Sequence, residues 1–267
     1  MSALDFEIID SPDSSLNKTS VLVTGPQDAL LVDAGFTRSD GRRLVERIRA
    51  AGKRLAAVFV SHGDPDFYFG AQEVQDAFPE ARFLATASTV EHIQETFEGK
   101  LKAWAHLGPE LPTRLVRPEV LHGDELVFEG HRFELRGADF HLPDRHYLWQ
   151  HHHHAVLGGV LLFEGLHVWT ADTPEQAQRA AWIDLLDGIE ALEPQFVAAG
   201  HRTAGAATDL TSVRHTRDYL RAFETEIGRA PDATAAKEAL ERRFPDLGLK
   251  IAVDLGTKVA MGEMAWG

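Results

Sequence analysis

Between Asp5 and Leu31 the apolar positions come in short bursts, "FEIID", "TSVLVTG" and "ALLVDAG", each closed by Gly, Pro or Asp, and this predicts a meander of strands entering a sheet. The period then changes. In "SDGRRLVERIRAAGK" the apolar Leu44, Val45, Ile48 and Leu55 recur at helical spacing and Gly52 lies near the stop, which predicts a helix from about Gly41 to Ala51. "RLAAVFVSH" follows as a buried strand, "AQEVQDAFP" as a short helix ended by Pro79, "ARFLAT" as a strand, and "STVEHIQETFEGKLKAWAHL" as a helix with a serine N-cap signal. Alternating strands and helices predict an α/β layered architecture.

The second half reads differently. After the Pro-rich "GPELPTRLVRPEVLHGD", strands are predicted in succession at "ELVFEG", "HRFELRGA", "HYLWQ", "AVLGGVLLF" and "LHVWTAD", which implies a second sheet. A helix from Pro174 to Leu192 carries Ala177, Ala181, Ile183, Leu185 and Leu186, "PQFVAAGHR" is a last strand, and the remainder is mostly helical. With no internal repeat and no low-complexity linker, the expectation is one domain over residues 1–267, with about 205–267 forming a helical C-terminal part.

Composition narrows the chemistry. The 267 residues carry a formal charge of -14, which argues against a nucleic-acid partner, because phosphate binding needs a basic face. No cysteine is present, so thiolate zinc sites, disulfides and a cysteine nucleophile are excluded and any metal must sit on His, Asp or Glu. The N-terminal "MSALDFEIID" lacks the pattern of a signal peptide and no stretch approaches the roughly 18 apolar residues of a membrane span, so the expectation is a cytoplasmic protein with no membrane partner, acting on a small molecule.

The chemistry concentrates at "VFVSHGDPDFYFG". Beyond a strand end, alternate residues of an extended segment project to one side, so His62, Asp64 and Asp66 are expected to converge. Imidazole and carboxylate suit zinc, manganese or iron. The competing reading of the same residues is a turn built on Asp64 and Pro65.

"SHGDPDFYFG" resembles the signature of the metallo-β-lactamase-fold superfamily, H-x-H-x-D-H followed by glycine, with His62 on the first histidine, Asp64 on the second, Asp66 on the aspartate and Phe67 on the last histidine. "LLVDAGF" resembles the family's early strand and places Asp33 beside the site. "ADFHLPDRHYLW" is similar to the third ligand motif and places His141 there, His146 being the weaker choice because it would lie inside the strand. "AVLGGVLLF" resembles the strand that ends in the metal-bridging aspartate, where this chain has Val160, and "FVAAGHR" the last motif, carrying His201. The resemblance runs from about Asn17 to His201 and implies a four-layer αββα sandwich with a helical C-terminal extension. Phe67 and Val160 each remove a ligand from the second metal position.

The resemblance implies a hydrolase in which one divalent metal, zinc first and iron or manganese next, is held by His62, Asp64 and His141 and activates water to cleave an ester, thioester or lactone. Asp66 and His201 would lie beside it as catalytic groups or as a weak second site. Two rivals are a retired, metal-free ligand-binding scaffold and a non-haem iron oxygenase, the latter because two histidines and a carboxylate also suit iron(II). Four other features have ordinary readings. His151 to His154 form an exposed hairpin turn away from the ligand loops. Asp172 has two readings, a substitute carboxylate reaching the site or an N-terminal cap in "ADTP" for the helix starting at Pro174, and the cap is favoured. His122 and His131 occupy turns without a role. Phe97, Leu101, Trp104 and Leu107 form a core stripe, within a segment, Ala87 to Pro118, that is expected to border the substrate opening.

Overall fold

The computed structural model of the chain describes residues 3–266. Its elements run β1 (Asp5–Asp10), β2 (Thr19–Thr24), β3 (Asp28–Val32), α1 (Arg38–Ala51), β4 (Arg54–Phe59), α2 (Pro65–Tyr68), α3 (Ala71–Ala77), β5 (Arg82–Ala85), α4 (Ala87–Ala103), β6 (Glu119–Val120), β7 (Glu125–Phe128), β8 (His131–Asp139), β9 (Leu142–Gln150), β10 (Ala155–Leu157), β11 (Phe163–Glu164), α5 (Gln176–Ala191), β12 (Phe196–Ala198), β13 (His201–Arg202), α6 (Thr211–Ile227), α7 (Ala233–Arg243) and α8 (Lys250–Ala260). Strands β1 to β6 form one sheet in sequence order, antiparallel through β3 and parallel from β3 to β6. The second sheet has the order β12-β10-β9-β8-β7, and β11 pairs with β13 in a short parallel ladder.

Strand alternation builds the layers. In β2 and β3, Val21, Val23, Leu30 and Val32 face inward and meet Leu126, Phe133, Leu148 and Leu157 of the second sheet. Their neighbours Leu22 and Leu31 face outward onto Leu44, Val45 and Ile48 of α1 and Val74 of α3. On the far side, Tyr147, Trp149, Val156 and Val197 pack under Trp182, Leu186 and Ile189 of α5 and Tyr219, Leu220 and Phe223 of α6. The order is helices, sheet, sheet, helices, as the resemblance implies. Full burial of each such side chain contributes about 1.5–3 kcal/mol, so the two-faced strands hold all the layers together.

Several boundaries differ from the sequence expectation, each for a local reason. Helix α1 starts three residues early because Thr37 and Asp40 form a capping box. Helix α4 is capped by Thr86, whose side chain accepts from Thr89 N, rather than by Ser88. The run "AVLGGVLLF" is strand only at Ala155–Leu157, because Gly159, at φ 51°, turns the chain into one helical turn. "LHVWTAD" forms no strand. Helix α5 starts at Gln176 with a capping box from Glu175, so Asp172 is not its cap. No helix of the described residues is long and apolar enough to cross a membrane.

Candidate functional site

The loop after β4 hangs from one carboxylate. Asp33, at φ 64°, accepts from Ser61 N (2.8 Å), Ser61 Oγ (2.9 Å) and Lys18 Nζ (2.9 Å). Lys18 is fully buried, also donates to Thr19 O (2.6 Å), and lies 4.2 Å from the centre of the Phe67 ring. Removing one member of such a buried pair strands the other charge, at a cost of about 3–5 kcal/mol. Gly70 closes the loop: a Cβ there would lie 2.2 Å from Ala34 O, so only glycine lets the two backbones meet.

The segment after His62 does not stay extended. Pro65 starts the short helix α2, with Asp64 at the N-cap position, and this divides the three residues expected to converge. His62 and Asp64 stay together, with Nε2 and Oδ2 3.4 Å apart. Asp66 turns away to His201, with Oδ2 and Nε2 3.2 Å apart.

Around His62 and Asp64 a charged cluster assembles. One atom from each of His62, Asp64 and Asp172 lies within 4.8 Å of the others, which makes this the metal-capable group among the described residues. Asp172 comes from the turn before α5. The other oxygen of each carboxylate is held by a cation: Lys100 Nζ of α4 donates to Asp64 Oδ1 (2.9 Å) and Gly63 O (2.8 Å), and Arg145 Nη2 of β9 donates to Asp172 Oδ2 (2.5 Å). Arg145 is buried, donates weakly to Val160 O (3.4 Å) and lies over the Trp182 ring at 4.2 Å. His92 Nε2 accepts from Lys100 (2.9 Å).

Burial disfavours the charged form of His62, but the Asp64 bond and charge outweigh it and raise its pKa. Burial likewise raises Asp64, and His62 and Lys100 more than offset this, holding it below the usual carboxylate range. For Asp172 burial prevails over Arg145 and its pKa is raised.

The Asp66–His201 pair is built in another way. His201 Nδ1 faces Leu16 O at 2.9 Å, and a carbonyl can only accept, so Nδ1 carries the hydrogen and Nε2 is the atom turned to Asp66. The His201 ring stacks on Phe163 at 4.8 Å, and the Phe67 ring stands edge-on between it and His62, 5.9 and 5.3 Å from the two. Gly200 brings this strand against Gly159, beside Val160: a Cβ on Gly200 would lie 2.0 Å from Gly159 O.

The donor set fits one divalent ion. It offers an imidazole and two carboxylates, each carboxylate with one oxygen committed to a cation, and His62 Nδ1 and Asp172 Oδ1 are buried with no hydrogen-bond partner among the described residues. Asp66 Oδ2 is likewise buried with no hydrogen-bond partner among the described residues, but beside it only His201 offers a donor, Phe67 and Val160 contributing none.

The model of the Metallo-beta-lactamase superfamily matches residues 16–201. The chain belongs to the metallo-beta-lactamase superfamily. A metallo-beta-lactamase family protein from Thermus thermophilus superposes with a TM-score of 0.65 at 16% identity, over 97% of this chain and 93% of that one. A beta-lactamase domain protein from Burkholderia ambifaria gives 0.67 at 18% identity, over 97% and 84%, and the B3 metallo-beta-lactamase BLEG-1 gives 0.63 at 15%, over 81% and 99%. At these identities the likeness shows the fold alone. A comparison with curated protein sequences gives no match.

This superfamily member departs from the expected ligand set at His141. That residue is exposed in the turn between β8 and β9, its N–H donates to Asp139 Oδ1 (2.8 Å) and its ring lies against Phe140, so it is outside the His62 group. The physical reason is that the tip of the hairpin stands in solvent, where the adjoining Phe140 is 91% exposed. The group therefore holds one histidine and two carboxylates, not the two histidines and one carboxylate on which the iron oxygenase reading rests. His131 is no turn residue either: it begins β8 and is fully buried. Phe97 is core, and Trp104 packs edge-on against Phe36 at 4.8 Å.

Sequence reasoning missed Lys18, Lys100 and Arg145, and for Asp172 it favoured a cap over the substitute carboxylate that the structure places beside His62. One signal was present: aspartate in place of the motif's second histidine adds a negative charge that something must neutralise.

Proposed function

We propose that the chain is a hydrolase holding one divalent metal, zinc first, at His62, Asp64 and Asp172, and cleaving an ester, thioester or lactone of a small molecule. The observation that carries this reading is the approach of three donors within 4.8 Å, with Asp172 Oδ1 buried and unpartnered among the described residues. An ion bound there supplies an acidified water at neutral pH. The chain's own residues do the rest. Arg145 and Lys100 fix the two carboxylates by one oxygen each, an arrangement that orients metal ligands. Lys100, partly exposed beside Asp64, would serve to stabilise a developing oxyanion. Asp66 and His201 line the other side of Phe67, facing each other at 3.2 Å.

A second reading, a metal-free ligand-binding scaffold, has one observation in its favour: Asp64 and Asp172 are already charge-paired by Lys100 and Arg145, so no ion is needed to neutralise them. Metal per chain, measured under metal-replete conditions in a variant with His151 to His154 replaced by serine, separates the two. One ion that is lost in Asp172→Ala is expected. No ion sinks the hydrolase reading and leaves the scaffold.

A further inference from the structure

Away from this site the chain has five more imidazoles close together. His131 starts β8, and His151 to His154 make the turn between β9 and β10. His131 is fully buried and neither of its ring nitrogens has a hydrogen-bond partner among the described residues. Its ring centre is 5.3 Å from that of His153 and 6.3 Å from that of His152, and those two are 5.1 Å apart. A buried polar atom left unpaired forfeits its hydration with nothing in return, and His131 leaves two.

The neighbours differ in how committed they are. His153 Nδ1 faces Gln150 Oε1 at 2.8 Å, an acceptor, so this nitrogen carries the hydrogen, while Nε2 accepts from Leu4 N at 3.2 Å. His152 is exposed and its ring is free to turn. Imidazole-only sets suit zinc, nickel and copper(II).

We propose that His131 and His152 bind a divalent transition-metal ion at this end of the second sheet, with His153 completing the set by exchanging its bond from Leu4 N–H for the ion. The site closes on binding, because the three donors do not yet lie within the 4.8 Å that marks the His62 group. The exposed imidazole supplies capture and the buried one supplies selectivity over a plain histidine run. Loading the ion detaches the start of β1 from the turn.

The test is a titration of Zn2+ into metal-stripped full-length protein, with the imidazole nitrogens and the Leu4 amide followed by NMR. Shifts at His131, His152 and Leu4, saturating together at one equivalent beyond the His62 site, are expected. His131→Phe keeps all four histidines of the turn and fills the same apolar space, and it should weaken this site by about 100-fold or more, beyond the loss typical of a supporting group. His152→Ser, a surface change that cannot unfold the chain, should weaken it as well. Unchanged affinity in His131→Phe, or no response of the His131 ring in the wild type, would overturn the proposal and leave only adventitious binding by the histidine run.

Discussion

The two halves of the family's metal centre have met different fates in this chain. At His62, Asp64 and Asp172 the donors remain, one has come from a different loop, and two cations hold the carboxylates in place. At Asp66 and His201 the two remaining polar groups face each other at 3.2 Å, between the rings of Phe67 and Phe163, and Asp66 Oδ2 has no hydrogen-bond partner among the described residues. Charge explains the difference. Exchanging an imidazole for Asp64 adds a negative charge, which Lys100 answers. Val160, where the motif has a carboxylate, brings no charge, and Arg145 pairs with Asp172. A half-site that gains charge must recruit a counter-ion, whereas one that loses donors can close on itself.

The sharpest way to break this contrast is to remove a donor from each side. In protein lacking the histidine run, Asp172→Ala or His62→Ala should abolish metal binding, while Asp66→Asn and the exposed His141→Ala should leave the ion in place, as read by elemental analysis. Equal loss in Asp66→Asn would mean that the two halves act as one site.

Rebuilding is the next largest step. Phe67→His with Val160→Asp restores two donors where only Asp66 and His201 remain, and the double variant should take up a second ion per chain. If it stays at one, the second position was lost through backbone placement rather than ligand identity.

Acid titration separates the site from its scaffold. His167, fully buried against Tyr219, has its pKa pushed down to about 4 by burial, with Lys250 and His215 adding to it. Its native form therefore resists a proton that the unfolded chain accepts near pH 6.5. The stability this provides is complete above that value and is lost as pH falls through the folded pKa, roughly 3 kcal/mol in all. Denaturant midpoints between pH 7 and 4 should show the loss in the wild type and in Asp172→Ala alike, and less of it in His167→Phe. A loss confined to proteins with an intact site would place its origin at the metal ligands instead.

The smallest effect concerns the rim. Lys100→Met removes the cation that orients Asp64 and should weaken metal binding by about tenfold, the low end of the loss typical of a supporting group, while slowing turnover. Tighter binding would show that Lys100 acts on Asp64 only as a competing cation.

Much of this was legible in the chain. Strand alternation at Val21, Leu22 and Val23 sets both faces of the first sheet, and the strand-loop motif at His62 marks the site. What escaped was tertiary. The period-2 argument for Asp66 failed because Pro65 favours a helix start. His141 was chosen for its motif position, and the hairpin tip that carries it stands in solvent. Asp172 satisfied a capping rule that Glu175 fulfils, and the partners Lys100 and Arg145 come from elements whose proximity no local pattern encodes.

One bond described earlier bears on how the protein is made. Leu16 O and His201 Nδ1 lie 185 positions apart in the chain, and Thr19 N reaches Gly200 O beside them. At synthesis rates of about 5–20 residues per second, the early β-meander waits on the order of ten seconds or longer before its partner strand exists. Entropy adds little to that delay, since closing a long loop costs only logarithmically more than closing a short one. Lys18 and Asp33, 15 residues apart, are both made long before Gly200, so the first sheet brings its own counter-ion pair ahead of the residues that wall off the site. A chain stalled short of Gly200 should accordingly protect the β2–β3 amides from exchange while leaving Asp66 open to solvent.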